Sequence, residues 1–518
     1  MRFFNWIIAR IKGKTYFAET IIVLNSMSFR SLPFVKPAYQ ILIAFILFGS
    51  IAAIAQPKIL YTYQDLSKTA YSRQKDSLKK NWVCPAIFEQ KPTQKKYKEL
   101  WDSRTNYLIA SIDNNNYVRE LDVFNYVNSI LSDIVKSNPK SISTTPLLFI
   151  DRSSAVNAYA IGGNIIAVNL GLINFAQSRE EVALVIAHEL SHNILQHPDN
   201  AMKEEAEWFT SDEYKNSLNA VLDSRYERLT RLKKLFQGYK IDRSKHHRYH
   251  ESDADSLAII LLKNSHIGFD ARFFLRLDSA DMQFKQSLKK PVKEYFTNYN
   301  LAFEDWWTQK RTKGLSTKSY NFKDTASIQD SLKTHPDCSV RYAATLSRSD
   351  GSFRLTPVPP SIKEKASRII IWNLFDNLDL TACLYEILLQ KDRGITDEWY
   401  DFMMHNVMAG LYYSDKQLNR FHAVGIVPKE TVSKDYYELQ NMLEQIPKDK
   451  LELYYKAFLN QLFWKNLSSD ANGLKALMSA LNLTTESSDS ERSKAAKNFI
   501  ASYSTSMYCE FADHFTLK

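Results

Sequence analysis

Ser178-Arg-Glu-Glu-Val-Ala-Leu-Val-Ile-Ala-His188-Glu189-Leu-Ser-His192 is the stretch from which the rest of the chain can be read. Ser178 and Glu181 make an S-x-x-E capping box. The serine hydroxyl accepts from the backbone three residues on, and the glutamate answers back, so a helix is predicted to open after Ser178. Val182, Val185, Ile186 and Leu190 spread apolar side chains over several faces, as a buried helix requires, and His197-Pro198 closes it. Four residues advance a helix by about one turn, so His188 and His192 project from one face and can grip one metal ion. Glu189 lies beside them, where a carboxylate can take a proton from a water held by that ion. Two neutral imidazoles plus one carboxylate leave a fourth position for water, which favours zinc, one ion per chain.

The third ligand must come from elsewhere. Glu204, Glu205, Glu207, Asp212, Glu213 and Glu251 are the downstream candidates. Glu213 lacks an acidic companion four positions on, where Ser217 stands; Glu251 has one in Asp255. On a helix the two share a face, so Glu251 can bind metal while Asp255 accepts a hydrogen bond from a ligand imidazole and fixes its orientation. Leu257, Ile259 and Ile260 follow and predict that this helix packs inside. His246, His247 and His250 precede Glu251 without ligand spacing and are read as exposed.

Around these helices the chain reads as α+β and mainly helical. Val123, Tyr126, Val127, Ile130, Leu131 and Ile134 recur at helical spacing within 121–135. Residues 146–150 and 164–168 read as short strands, the second preceded by a Gly162-Gly163 turn. Residues 199–247 are charged and helical in part, and another helix is expected over 248–263. Asp350-Gly-Ser, Pro357, Pro359 and Pro360 give 349–361 the composition of a linker. The expected organisation is therefore a 56–348 catalytic domain, this linker, and a 362–518 all-helical domain of repeat-like bundle character. A length of 518 residues accommodates two to four domains at roughly 150 residues each.

Composition excludes several classes. With 45% hydrophobic and 24% charged residues, the chain is no wholly disordered polymer, collagen-like fibre or polytopic membrane protein. Its formal charge of +10 is concentrated at the start, where Arg2, Arg10, Lys12, Lys14, Arg30 and Lys36 face Glu19 alone within 1–55. Elsewhere acids and bases alternate, so a nucleic-acid partner is not expected. Between Lys36 and Lys58 no charge interrupts the apolar run 41–55, which ends in Ala53-Ile54-Ala55. This is the layout of a secretory signal peptide, with Met27 as an alternative start, or of an uncleaved anchor. Either places the main body outside the cytoplasm, in the periplasm or cell envelope, with membrane contact only through an uncleaved leader. Cys84, Cys338, Cys383 and Cys509 permit three disulfide pairings or four buried thiols.

Three segments in order, namely 157–171 (Asn-Ala-Tyr-Ala-Ile-Gly-Gly-Asn-Ile-Ile-Ala-Val-Asn-Leu-Gly), His188-Glu189-x-x-His192 and Glu251-x-x-x-Asp255, resemble peptidase family M, number forty-eight. This family comprises the CAAX prenyl endopeptidase, HtpX-type and BepA-like zinc metallopeptidases. The likeness spans about residues 115–345 and fits the soluble, exported branch, since only the leader is apolar enough to span a membrane. It implies a zincin-type fold, zinc bound by His188, His192 and Glu251, Glu189 as general base, and Asp255 behind a ligand. It also implies that Ile165 to Val168 forms the edge strand on which an extended peptide lies. Thr334-His335-Pro336 with Arg341 is similar to a late motif of the family. The likeness implies His335 near the metal, as a fourth ligand or oxyanion donor. The expected activity is endopeptidase cleavage of envelope or misfolded proteins. The alternatives are an assembly factor whose C-terminal helices bind an envelope-protein client, and a structural zinc protein with a closed four-ligand site.

Overall fold

The computed structural model describes residues 69–114, 116–224, 226–278, 284–299, 302–309, 338–395, 398–416, 418–460 and 489–504, with Ala512 and Thr516. The expected leader, His335 and Cys509 lie outside the described residues.

Helices α1 (Thr69–Asn81) and α2 (Lys91–Asp113) lead into a sheet of four short strands: β1 (Tyr117–Val118), β2 (Leu147–Asp151), β3 (Ala158–Gly162) and β4 (Ile165–Asn169). Between β1 and β2 runs α3 (Leu121–Ser137), whose Val123, Val127, Ile130, Leu131 and Ile134 are buried on one side. The strand order is β1-β2-β4-β3. β2 pairs parallel with β4, Phe149 opposite Ala167. β3 pairs antiparallel with β4, Ala158 opposite Val168, with an irregularity between Ala160 and Gly162. Every residue of β4 is buried. A continuous apolar run is what a strand covered on both faces needs. The strand order leaves β1 and β3 (Ala158–Gly162) at the edges, and the expectation that Ile165 to Val168 lies at the edge is corrected: β4 pairs with β2 on one side and β3 on the other.

The expected glycine turn joins β3 to β4. Gly163 (φ 57°) and Asn164 (φ 61°) are both left-handed, the conformation that a two-residue hairpin turn demands and glycine and asparagine supply most cheaply. A β-carbon on Gly163 would stand 2.4 Å from the Trp82 Nε1, so the turn is seated directly on that indole. Arg104, itself stacked between the Trp82 and Trp101 rings, donates to Ile161 O and to Asp199 Oδ1. Asp199 Oδ2 accepts from Gly163 N. The hairpin is thus clamped at its tip by buried charge and aromatic surface.

After α4 (Leu170–Phe175) the chain enters α5 (Arg179–Ile194). Ser178 Oγ accepts from Glu181 N as predicted, and Glu181 Oε2 accepts from Gln177 N, one residue earlier than the capping box implied. Eleven residues of α5 are buried, as befits a helix packed against β3, β4, α3 and the helix that carries Glu251. Then follow α6 (His197–Thr210), α7 (Asp212–Leu222) and the long α8 (Arg228–Asn264). The helix expected over 248–263 is the last part of α8. Next come α9 (Arg272–Asp278) and α10 (Cys338–Thr345).

The 349–361 stretch runs along the start of α5. Asp350 N donates to Phe269 O, Arg179 N to Thr356 O, and Val358 N to Gln177 O. Beyond it are α11 (Pro360–Asp376), α12 (Leu380–Asp392), α13 (Glu398–Lys416), α14 (Arg420–Val424), α15 (Lys434–Gln445), α16 (Lys448–Asn460) and α17 (Asp489–Ser502). Residues 380–390 of α12 are all buried, because α11, α13, α14 and α15 surround it. Asp379 stands at its start, its Oδ1 without a hydrogen-bond partner among the described residues. The 284–309 segment also leans on these helices. Lys289 N and Tyr295 Oη donate to Asp392, and Gln445 Nε2 donates to Trp307 O. Cys84 and Cys383 are free thiols. Among the described residues no helix is long and apolar enough to cross a membrane.

Candidate metal centre and active site

The packing of α5 against α8 brings three donors together. His188 Nε2 lies 3.1 Å from His192 Nε2. Glu251 Oε2 is 3.3 Å from His188 Nε2, and Glu251 Oε1 is 3.3 Å from His192 Nε2. A tetrahedral zinc with bonds of about 2.0–2.1 Å has ligand-to-ligand edges of about 3.3 Å. The donor set therefore fits such an ion in both chemistry and spacing. His188, His192 and Glu251 make the one group able to hold a metal among the described residues. His188 and Glu251 are almost fully buried, while His192 retains some exposure. Glu204, Glu205, Glu207, Asp212 and Glu213, the other candidates for third ligand, are not part of the group.

Behind His188 stands Asp255, one turn along α8 from Glu251. His188 Nδ1 is 2.8 Å from Asp255 Oδ1. Arg341, on α10, forks onto the same carboxylate through Nε (2.8 Å) and Nη2 (2.5 Å), and its guanidinium lies 4.4 Å from the Phe274 ring centroid. Burial by itself would lower the His188 pKa, but hydrogen bonds to Asp255 and Glu251 outweigh it and push the ring up to about 10. Burial would likewise raise Asp255; His188 and then Arg341 more than offset it, holding the carboxyl below the usual range.

Glu189 turns toward the sheet. Its Oε2 accepts from Ala160 N of edge strand β3 at 2.8 Å. Asn193 Nδ2 donates to Ile165 O and fastens the same helix to β4. Tyr159 Oη donates to Asp151 Oδ2 across the sheet, so β3 is anchored on both sides of Ala160. Glu189 is thereby fastened to the strand that ends the sheet on this side.

His192 has a further neighbour that the sequence reading missed. Its Nδ1 lies 2.9 Å from His197 Nδ1. His197 stacks on His250, with centroids 4.2 Å apart and planes 12° from parallel. Burial, then His192 and His250, press the His197 pKa down to about 3. His250, read as exposed, is in fact half-buried against this ring. The side chains of His246 and His247 lie outside the described residues. His197 follows Gln196 in a left-handed turn (φ 56°), so helical spacing gives no sign of it. Arg341 was visible as the end of the His335-Pro336 motif, but its target was not.

With this geometry in place, the chain can be set beside known proteins. Residues 123–349 match the profile of Peptidase family M48. Within the curated proteins the chain is similar to the "Putative beta-barrel assembly-enhancing protease" of Vibrio cholerae serotype O1. It is 29% identical over 158 residues, covering 29% of this chain and 32% of the relative. The chain thus matches about a third of the relative's length.

Proposed function

We propose that the protein is an exported, zinc-dependent endopeptidase acting on envelope or misfolded proteins. The observation that carries this reading is the convergence of His188 Nε2, His192 Nε2 and Glu251 within 3.3 Å of one another, beside Glu189. The M48 match and the name of the Vibrio relative support protein substrates in the envelope. The leader supports export.

His188, His192 and Glu251 would hold the zinc. When bound, the ion supplies a Lewis acid that brings a water's pKa toward about 7 and polarises the scissile carbonyl. An extended substrate would lie along edge strand β3 by main-chain hydrogen bonds, taking the Ala160 N–H that Glu189 otherwise accepts, which selects unfolded segments over particular side chains. Glu189 accepts the proton of the attacking water and delivers it to the leaving amine, so one water is consumed for each peptide bond opened. Asp255, locked by Arg341, holds the His188 ring with Nδ1–H turned away from the metal. His335 is proposed to act near the metal as a further ligand or oxyanion donor.

We further propose the division into a 56–348 catalytic domain, a 349–361 connection and a 362–518 helical domain that binds an envelope-protein client. The assembly-enhancing role in the relative's name favours such a client. The test is casein cleavage by the full chain. Loss of cleavage on chelation and its return with Zn²⁺ are expected; cleavage indifferent to chelators would overturn the zinc reading.

A further inference from the structure

We propose that His197 is a positioning residue that accepts the His192 Nδ1–H and thereby presents an unprotonated His192 Nε2 to the metal. This rests on the reading of His188, His192 and Glu251 as a zinc site.

The Nδ1 atoms of His192 and His197 are 2.9 Å apart. Two ring nitrogens at that distance share one proton, since both cannot donate and both cannot accept. The other His192 nitrogen, Nε2, faces His188 Nε2 and Glu251 Oε1 at 3.1 and 3.3 Å. A ring that offers Nε2 as a lone pair carries its only N–H on Nδ1, so His192 is the donor and His197 the acceptor. The reverse assignment would place the His192 proton on Nε2 and block coordination.

The backbone is shaped for this contact. Gln196, in a left-handed conformation, ends the turn after α5 and folds His197, the first residue of α6, back over the helix it has just left. For a residue other than glycine that conformation is strained, and such strain persists where its surroundings over-determine it. His250, immediately before Glu251 on α8, fixes the plane of the His197 ring by stacking. The two imidazole ligands therefore have different supports: a carboxylate clamped by arginine behind His188, a second imidazole behind His192. A neutral acceptor orients the second ligand without adding another negative charge to a site that already contains Glu251, Glu189 and Asp255.

The experiment measures Zn²⁺ affinity of the full chain by competition with a chromophoric chelator, for wild type, His197→Asn and His197→Phe. Phenylalanine keeps the stack on His250 but has no acceptor; the asparagine oxygen can take the place of Nδ1. Removal of a partner that orients a metal ligand typically costs 10–100-fold in affinity, so a loss of about that size is expected for His197→Phe and at most about threefold for His197→Asn. With Co²⁺ as probe, the visible bands should shift in His197→Phe and stay in place in His197→Asn. Thermal melts of the zinc-free chains check folding, and His197→Ala replaces His197→Phe should the latter not fold. Zinc affinity unchanged in the acceptor-less variant, or equal losses in both, would overturn the proposal. A folded wild type that binds no zinc would instead overturn the underlying zinc reading.

Discussion

The main-chain N–H of Ala160 donates to Glu189 Oε2 over 2.8 Å, so the strand proposed to receive substrate and the residue proposed to move the proton are joined by one hydrogen bond. Glutamine at 189 retains an oxygen that can accept from Ala160 but loses the basicity. Glu189→Gln is expected to keep its fold and its zinc while losing at least about 10²–10⁴ in kcat, the usual contribution of a positioned base. Casein cleavage and elemental analysis check this together; undiminished turnover would contradict it.

Arg341 and Asp255 form a two-pronged ion pair with both side chains nearly buried. Removing Arg341 leaves the buried Asp255 with His188 alone opposite it, and breaking a buried pair typically costs up to about 3–5 kcal/mol. Arg341→Met is therefore expected to lower the unfolding free energy of the metal-free chain, read from urea titration, by up to that amount without changing its far-ultraviolet spectrum. An unchanged midpoint would show that His188 by itself suffices as the countercharge of Asp255.

Asp379, at the start of α12, supplies a pH dependence of stability. Burial pushes its pKa from 3.8 up to about 6. The folded state then holds the proton more tightly than the unfolded state. Its contribution is fully present below about pH 3.8 and is lost as pH rises through about 6, a change of roughly 3 kcal/mol. Asp379→Asn should flatten the stability profile between pH 4 and 6 and raise stability at pH 7. Denaturant titrations at several pH values test this, and an unaltered slope in the variant would refute it.

Gly163 combines a left-handed backbone with direct contact to Trp82. Gly163→Ala brings a conformational cost of about 1–2 kcal/mol and a clash with the indole. A lower melting temperature is expected, with a fall in casein cleavage through disturbance of β3. Equal stability and activity would mean that the hairpin tip does not control the edge strand.

The parts of this molecule legible in its sequence are those governed by local spacing. His188 and His192 are set by one helical turn, Glu251 and Asp255 by another, and Ser178 announces the start of α5 by its capping oxygen. The sheet order was not legible, because pairing is non-local: Ala158–Gly162 and Ile165–Asn169 are both short and apolar. The continuous run Ile165-Ile-Ala-Val168 did carry a usable sign, since a strand with no polar alternation belongs in the interior. His197 depends on one left-handed residue, Gln196, for which side-chain pattern gives no warning. Arg341 reaches Asp255 across 86 positions, a distance at which charge pairing cannot be read without the fold.

The most direct test of the zinc reading is an anomalous difference map, recorded at the zinc edge from crystals of the full chain grown with Zn²⁺. A single strong peak within about 2.0–2.2 Å of His188 Nε2, His192 Nε2 and a Glu251 oxygen is predicted. A map without density there, or with the metal held by residues other than these three, would contradict the account.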